Sequence, residues 1–184
     1  MREIEAKILD IDKEDIIDRL EKMGATLVFD GEIETYFFDD DNHTLKNRDS
    51  LLRLRKMGDR AFLTYKDKIS KEDVKVYEEK ETFVEDFDEM LSIIKSMGFK
   101  EKKVVKKKRK SFQKGNTKFE IDKFTDEFSD IPEFLEIEAE SKESIHDYAE
   151  KLGFSKDDCT SRSTGDIIRD YEKIEKNTVK KRSS

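Results

Sequence analysis

Charged residues recur with a spacing of two along this sequence, and their signs follow an order. They are Glu3, Glu5 and Lys7; Arg53 and Arg55; Lys66; Glu79 and Glu81; Lys107 and Arg109; Asp122; and Glu136 and Glu138. Carboxylates are hard oxygen ligands suited to Mg²⁺ or Mn²⁺, and arginine pairs bind phosphate oxygens through the planar guanidinium fork. The residue types therefore favour a site for divalent cations and a polyanion.

Other kinds of catalytic site find little support in the composition. The chain has two histidines and one cysteine, His43, His146 and Cys159, so a zinc cluster, a Cys-His nucleophile and an internal disulfide are disfavoured. Seven glycines occur, but none forms a G-x-x-x-x-G-K or G-x-G-x-x-G motif. Any phosphate must then be held by side chains rather than by a glycine-rich backbone loop.

The charged pairs fall on segments that alternate between charged and apolar residues, as half-buried strands do. Strands are predicted at about 2–9, 25–30, 33–39, 50–57, 60–67, 74–85, 103–113, 117–124 and 134–140. Most are separated by short turns rich in Asp, Asn or Gly, which favours antiparallel pairing. Helical periodicity predicts a helix capped by Asp12 and stopped by Gly24, and further helices from about Asp86 to Met97, Ser141 to Leu152 and Thr164 to Lys176. Gly98 and Gly153 follow the second and third helices.

An α+β fold follows from these elements, and a closed barrel is the architecture that suits them. Several strands are apolar on the face opposite the charges, and three or four helices are available to cover that face. The charged faces would then look toward each other or toward water. About eight strands can close into a barrel without edges, and a bound polyanion with metal ions would compensate charges in its interior.

The ordered series of charged motifs resembles the CYTH superfamily, the triphosphate tunnel metalloenzymes. Glu3-x-Glu5-x-Lys7 is similar to the family signature E-x-E-x-K. The resemblance extends through Leu52-Arg53-Leu54-Arg55, Lys66, Glu79-x-Glu81, Lys107-x-Arg109, Ile121-Asp122 and Phe134-Leu135-Glu136-Ile137-Glu138. It implies a closed eight-stranded antiparallel barrel, or tunnel, with a charged interior and helices packed outside.

The same resemblance implies a role for each matching residue. Metal ions, Mg²⁺ or Mn²⁺, would be bound by Glu3, Glu5, Asp122, Glu136 and Glu138. The substrate phosphates would be bound by Lys7, Arg53, Arg55, Lys66, Lys107 and Arg109, and Arg162 is a further candidate. Glu79 and Glu81 would bind another metal ion or orient the attacking group, so that these two and Lys66 are the candidate catalytic residues.

Hydrolysis of a triphosphate is the expected reaction, with inorganic triphosphate, ATP or thiamine triphosphate as substrate. The alternative is a class IV adenylate cyclase, in which the ribose 3′-hydroxyl of ATP attacks instead of water. Cyclase members resemble one another in a His-Phe-like segment before the first acidic strand, where this sequence has Met1-Arg2. No Trp is available to stack on the rings of thiamine.

A binding module for polyphosphate or RNA, without turnover, is a second alternative. The basic run 104–110 supports this alternative, because basic clusters can follow a phosphate backbone. In a strand, however, Lys106, Lys108 and Lys110 face away from Lys107 and Arg109. The paired carboxylates and the net charge of −7 also disfavour nucleic acid.

One domain over residues 1–176 and a flexible polar tail at 177–184 are expected from the 184-residue length. No apolar run of about 18 residues occurs, which predicts a cytoplasmic protein without membrane contact. The expected partner is a small-molecule triphosphate, and the protein could be a monomer or a homodimer.

Overall fold

A computed structural model describes residues 2–71 and 75–182, with eight strands and five helices in these ranges. The strands are β1 (Arg2–Ile8), β2 (Thr26–Asp39), β3 (Ser50–Met57), β4 (Arg60–Lys71), β5 (Lys75–Val84), β6 (Lys100–Lys114), β7 (Thr117–Phe124) and β8 (Phe134–Ala139). The helices are α1 (Lys13–Lys22), α2 (Thr44–Asn47), α3 (Phe87–Ser96), α4 (Lys142–Lys151) and α5 (Thr164–Arg182). Short 3-10 turns occupy Asp126–Phe128 and Lys156–Asp158.

All eight strands pair antiparallel in one strongly curled sheet with the order β1-β5-β4-β3-β2-β6-β7-β8. β8 pairs back onto β1, from Ala139 opposite Ile4 to Leu135 opposite Ile8, so the hydrogen-bonded order returns to its start. The antiparallel pairing between β1 and β5 is short and covers Arg2–Glu5 of β1. The α+β class, the eight antiparallel strands and the barrel-like curvature agree with the sequence prediction.

The helix boundaries follow from capping residues that the sequence displays. The carboxylate of Asp12 accepts hydrogen bonds from the Glu14 and Asp15 amides, and Asp86 and Ser141 cap α3 and α4 in the same way. Each of these three helices is followed by a glycine with positive φ, which ends the helix without steric strain. These helices therefore lie where the sequence predicted them.

Two apolar cores lie on the outer face of the sheet. One packs α1 and α4 against β1, β7 and β8, with Leu20, Phe119 and Ile145 fully buried. The other packs α2 and α3 against β3 and β4 and includes Leu54 and Ile94. Because these strands place their apolar residues outward, under helices, the alternate charged residues face inward.

A third apolar core closes one end of the sheet interior. Phe37, Val105, Phe124 and Phe134 extend the inward-facing rows beyond the charged residues, and they pack against Ile167 and Ile168 of α5. The opposite end, where β1 begins and β3 meets β4, has no such apolar cluster among the residues that the structure describes. The interior is thus sealed on one side and approachable from the other.

The outer face of β2 and β6 is a ladder of opposite charges between the two helix-covered regions. Lys106 lies 3.6 Å from Glu34 and Lys110 lies 2.5 Å from Asp30, while Lys108 is opposite Glu32 in the register. Three of the five basic residues at 106–110 are therefore opposite carboxylates on β2.

Three local features differ from the sequence prediction. The segments 25–30 and 33–39 form one long strand, β2, because Gly31 continues the extended backbone instead of breaking it. The short helix α2 fills the turn before β3. α5 continues to Arg182, past Lys176, since no glycine or proline interrupts 177–182.

No helix in the described ranges combines the length and the apolar character needed to cross a membrane.

Candidate functional site

The interior face of the sheet carries charged side chains from seven of the eight strands. They are Glu5 and Lys7 on β1, Arg53 and Arg55 on β3, Lys66 on β4, Glu79 and Glu81 on β5, Lys107 and Arg109 on β6, Glu120 and Asp122 on β7, and Glu136 and Glu138 on β8. Their side chains are buried or partly buried, with exposed fractions from 0% for Asp122 to 32% for Glu81. The structure therefore brings the sequence-predicted cations and carboxylates, apart from Glu3 and Arg162, onto the interior face of one sheet.

Arg109 and Asp122 form the most buried part of this surface. The two residues are opposite each other in the β6–β7 register, and the guanidinium makes two bonds of 2.6 Å to the two carboxylate oxygens. Lys107 adds a third bond of 2.6 Å to Asp122. Arg109 also contacts Glu120. Asp122 thus fixes the positions of two cations that face the interior.

Lys7 connects the carboxylates of β1 and β8. Its ammonium group lies 2.5 Å from Glu136 and 3.3 Å from Glu5, and the side chain is 4% exposed. In the β1–β8 register Lys7 is opposite Glu136, and Glu5 is opposite Glu138. Opposite charges therefore face each other at Lys7 and Glu136, whereas Glu5 and Glu138 place two carboxylates side by side.

The facing wall is built by β3, β4 and β5. Lys66 lies 2.8 Å from Glu79, and Arg55 lies 3.0 Å from Glu81. The hydroxyl of Thr64, which is fully buried, donates a 2.7 Å bond to Glu81. Arg53 lies within 3.7 Å of Glu79. Both carboxylates proposed as catalytic are thus held by cations of the same wall.

Arg53 and Arg55 retain hydrogen-bonding capacity. In the part of the chain that the structure describes, the Nε–H groups of both guanidinium groups are buried without a hydrogen-bond partner. A buried, unsatisfied donor on a cation is costly unless a ligand supplies an acceptor. These two groups are suited to bind an anion.

Burial and charge shift several pKa values here. Burial, reinforced by the neighbouring Arg109, lowers the pKa of Lys107 to about 8. Burial also lowers the pKa of Arg55, with Arg53 adding to the effect. For Lys7, burial acts to lower the pKa, but Glu136 and Glu5 outweigh it and the pKa is raised. The interior cations therefore differ, and Lys107 holds its proton less firmly than Lys7.

The carboxylates of β7 and β8 also differ from one another. Burial would raise the pKa of Asp122, yet Arg109 and Lys107 hold it below its usual value. Burial likewise opposes ionisation of Glu136, but Lys7 and Arg109 keep its pKa well below normal. Burial raises the pKa of Glu138, Lys118 opposes this in part, and repulsion by Glu120 and Glu136 adds to it. Glu138 therefore lies where additional positive charge would be stabilising.

A cavity of about 730 Å³ opens between the two walls. Its charged lining comes from both sides: Arg53, Arg55, Glu79, Lys80 and Glu81 on one, and Lys118, Glu120 and Glu138 on the other. The volume is within the range of small-molecule sites, about 300–1,000 Å³. The charged surface is thus accessible to a ligand of nucleotide size.

The order of charged residues along the strands has a counterpart in known proteins: the sequence profile of the CYTH domain matches residues 1–164. The chain belongs to the CYTH family. A relative from Methanocaldococcus jannaschii, which carries the name "Putative adenylate cyclase MJ0240", is 32% identical over 155 residues, or 82% of each chain.

Solved structures agree with the CYTH assignment. The PH1012 protein of Pyrococcus horikoshii superposes with a TM-score of 0.73 at 28% identity, covering 88% of this chain and 96% of that one. A protein from Hippeastrum superposes with a TM-score of 0.67 at 15% identity, covering 91% and 95%. That protein is described as a "putative adenylyl cyclase" with a dominant triphosphatase activity, and at this identity it supports the fold alone.

The donor chemistry of this CYTH domain fits a divalent cation. Glu5, Glu136 and Glu138 face the interior on adjacent strands and offer the carboxylate oxygens that Mg²⁺ or Mn²⁺ prefers. No three carboxylate, His or Cys side chains are already grouped around one point in the described residues. The side chain of Glu3, the other predicted ligand on β1, lies outside the described part of the structure.

Arg162 lies in the segment that joins the CYTH core to α5. Its guanidinium forms a 2.6 Å ion pair with Asp170, one to two turns into α5. Lys7 and Thr160 exchange backbone hydrogen bonds, which attaches this segment to the end of β1. The structure places Arg162 with α5 and not with the ion pairs of the interior, and its predicted phosphate contact stays a prediction.

Glu120 and Thr64 contact predicted site residues but were absent from the sequence prediction. Glu120 stands two positions before Asp122 on the same face of β7, so the spacing of two that revealed the other carboxylates was present here as well. Thr64 carries no charge and had no comparable signal. Its role becomes visible only through its bond to Glu81.

Proposed function

We propose that this CYTH protein hydrolyses a triphosphate, inorganic or organic, that binds in the charged interior with Mg²⁺ or Mn²⁺. The observation that carries the proposal is the pair Arg53 and Arg55, which border the cavity and whose buried Nε–H groups have no hydrogen-bond partner among the described residues. Guanidinium groups bind phosphate oxygens in the plane of the fork, and two in series match adjacent phosphates. The sealed end at α5 limits the length of chain that the interior can accept.

The basic residues would act by binding and orienting the phosphates. Arg53 and Arg55 bind from one wall, and Lys107 and Arg109, positioned by Asp122, bind from the other. Their cationic charge offsets the negative charge that is spread over the phosphoryl oxygens in the transition state. Lys66, held by Glu79, completes this set.

Glu79 and Glu81 are the proposed residues for handling the attacking water. A carboxylate that accepts the proton of a water molecule assists attack on the terminal phosphorus, whose bond to the bridging oxygen breaks. The Thr64 and Arg55 contacts fix the orientation of Glu81 for this purpose. The products would be phosphate and diphosphate, or phosphate and the corresponding organic diphosphate.

Glu3, Glu5, Glu136 and Glu138 would hold the divalent cation. When bound, the cation would neutralise phosphate charge and polarise the phosphoryl oxygens. Asp122 is committed to Lys107 and Arg109, so in this proposal it positions those cations.

Adenylate cyclase activity is the second candidate. The similarity to the Methanocaldococcus jannaschii protein supports it, because that protein carries a cyclase name at 32% identity. The same cationic surface would serve attack by the ribose 3′-hydroxyl of ATP, with release of pyrophosphate. A binding module for RNA receives less support, because carboxylates of β2 pair with the outward lysines of β6.

One panel of assays separates these functions. The purified protein is incubated with Mg²⁺ or Mn²⁺ and, separately, inorganic triphosphate, ATP or thiamine triphosphate, and phosphate, pyrophosphate and cyclic AMP are measured together. Phosphate without cyclic AMP supports the triphosphatase. Cyclic AMP with an equal amount of pyrophosphate makes the protein a cyclase, and tight binding without turnover indicates a binding module.

A further inference from the structure

Two phenylalanine side chains lie at the open end of the interior, beyond the charged residues. Phe62 on β4 and Phe83 on β5 are opposite each other, with ring centroids 6.1 Å apart and an interplanar angle of 79°. Phe83 is 57% exposed although it follows the inward-facing series Glu79 and Glu81. Single exposed apolar residues are common, so the exposure needs a second observation to acquire meaning.

That observation is the contact between the aromatic pair and the proposed phosphate site. Phe62 is opposite Arg55 in the β3–β4 register, and the Arg55 guanidinium carbon lies 5.9 Å from the centre of the Phe62 ring. Arg55 borders the cavity and is bonded to Glu81, two residues before Phe83 on the same face. Two residues of a strand span about 6.6 Å. The Phe83 ring therefore lies one inward-facing position nearer the open end than Glu81, to which the Arg55 guanidinium is bonded.

This order of groups matches a ligand with two unlike ends. An anionic chain on Arg53 and Arg55 would extend toward the open end, because the apolar core under α5 seals the other end. The next surface that it meets there is aromatic and largely uncovered. A planar ring attached to the chain could stack on that surface, whereas inorganic triphosphate has no group to place there.

We propose that Phe83, supported by Phe62, forms a subsite for the base of a nucleoside triphosphate, which makes an organic triphosphate the preferred ligand. This inference rests on the proposed function, because it assumes phosphate binding at Arg53 and Arg55. Stacking of a base on an aromatic side chain tolerates different bases, so the subsite selects for a ring and not for one base. The remaining exposure of Phe83 gives the ring its contact surface.

The test compares two ligands in three variants and the wild type. ATP and inorganic triphosphate are titrated by calorimetry in EDTA, and kcat/KM is then measured for both with Mg²⁺. Phe83→Ala removes the ring, and Phe83→Trp keeps a stacking surface. Met97→Ala is the matched control, since Met97 is 59% exposed but lies just after α3 on the outer side of the sheet.

Phe83→Ala is expected to lower the ratio of ATP to inorganic triphosphate affinity about tenfold or more, as loss of one stacking contact does. Phe83→Trp should restore or exceed the wild-type ratio, and Met97→Ala should leave it unchanged. An unchanged ratio in Phe83→Ala, with both ligands bound, overturns the subsite and leaves the proposed function intact. Absence of binding and turnover for both ligands in the wild type overturns both.

Association between copies is the other use that an exposed Phe83 could have. Light scattering on the same samples tests it: a change of mass in Phe83→Ala together with an unchanged ligand ratio would assign the residue to self-association and overturn the subsite.

Discussion

Arg109 and Asp122 lie opposite each other on β6 and β7 and form a two-pronged ion pair, with both bonds at 2.6 Å and Asp122 completely buried. Lys107 bonds to the same carboxylate. One acidic side chain thus bonds to two interior cations. The geometry connects stability and ligand binding, because the group that lets these cations stay buried also fixes where they point.

Asp122→Asn tests the stability side of that relationship. Removing the negative charge leaves Arg109 and Lys107 buried with too little compensation, so the free energy of unfolding should fall by about 3 kcal/mol or more. Urea denaturation followed by circular dichroism measures it. Asp41→Asn is the control, because it breaks a surface pair with Lys100 and should leave the midpoint unchanged. Equal stability of Asp122→Asn and wild type would show that the pair is not a structural requirement.

Arg55→Ala tests the phosphate site. The guanidinium is expected to contact phosphate oxygens, so turnover of the preferred triphosphate should fall to background, and affinity should fall about tenfold or more. The far-ultraviolet spectrum should stay native, because the side chain borders a cavity. Arg60→Ala, at the exposed start of β4, is the matched control. Full activity in Arg55→Ala would remove the assignment of the interior as the substrate site.

The carboxylates of β1 and β8 predict a metal requirement. EDTA should abolish turnover, and Mg²⁺ or Mn²⁺ should restore it. Glu3→Ala should abolish metal-dependent turnover, and Glu138→Gln should raise the metal concentration for half-maximal activity about tenfold or more, because each lost carboxylate weakens cation binding. Glu143→Gln, exposed on α4, should behave as wild type. Activity that persists in EDTA would contradict the metal assignment.

Lys107 predicts a pH dependence. Its pKa in the folded protein is lowered to about 8 from the ordinary 10.5, so between these values the folded protein holds fewer protons than the unfolded chain. Free energy of unfolding should therefore rise with pH across that window. An anion beside Lys107 favours the charged form, so triphosphate binding should take up a proton and weaken as the pH rises above 8.

Calorimetry at pH 8.5 in two buffers of different ionisation enthalpy measures this proton uptake. Lys107→Arg keeps the charge at all these pH values and should remove the part of the uptake that belongs to Lys107. The ligand titrates on its own, so the comparison is between the wild type and the variant. Identical proton uptake in both would show that Lys107 does not change its charge on binding.

Local sequence patterns determined which face of a strand several site residues occupy and where three helices begin and end. The spacing of two assigned Glu5, Lys7, Arg53 and Arg55 to one face of their strands, since alternation is a property of an extended backbone alone. Capping residues and glycines located α1, α3 and α4 for the same reason, because a helix end is set by the few residues around it. The ordered motifs also carried the resemblance to the CYTH family, which the profile match confirms.

The tertiary structure decided which faces meet and what each charge contacts. The order of the strands depends on pairing between segments far apart in sequence, such as β1 with β5 and β2 with β6, and no local pattern reports it. The pairing of Asp122 with two cations, the part played by Thr64 and the unsatisfied donors of Arg53 and Arg55 arise from that arrangement. α5 seals one end of the sheet interior. Its apolar residues indicate in the sequence that the helix is partly buried, but they do not indicate which surface it packs against. Side-chain periodicity specifies the direction of a side chain relative to its own strand. A binding site also requires defined distances between side chains on different strands, and these distances are set only when the sheet has curled.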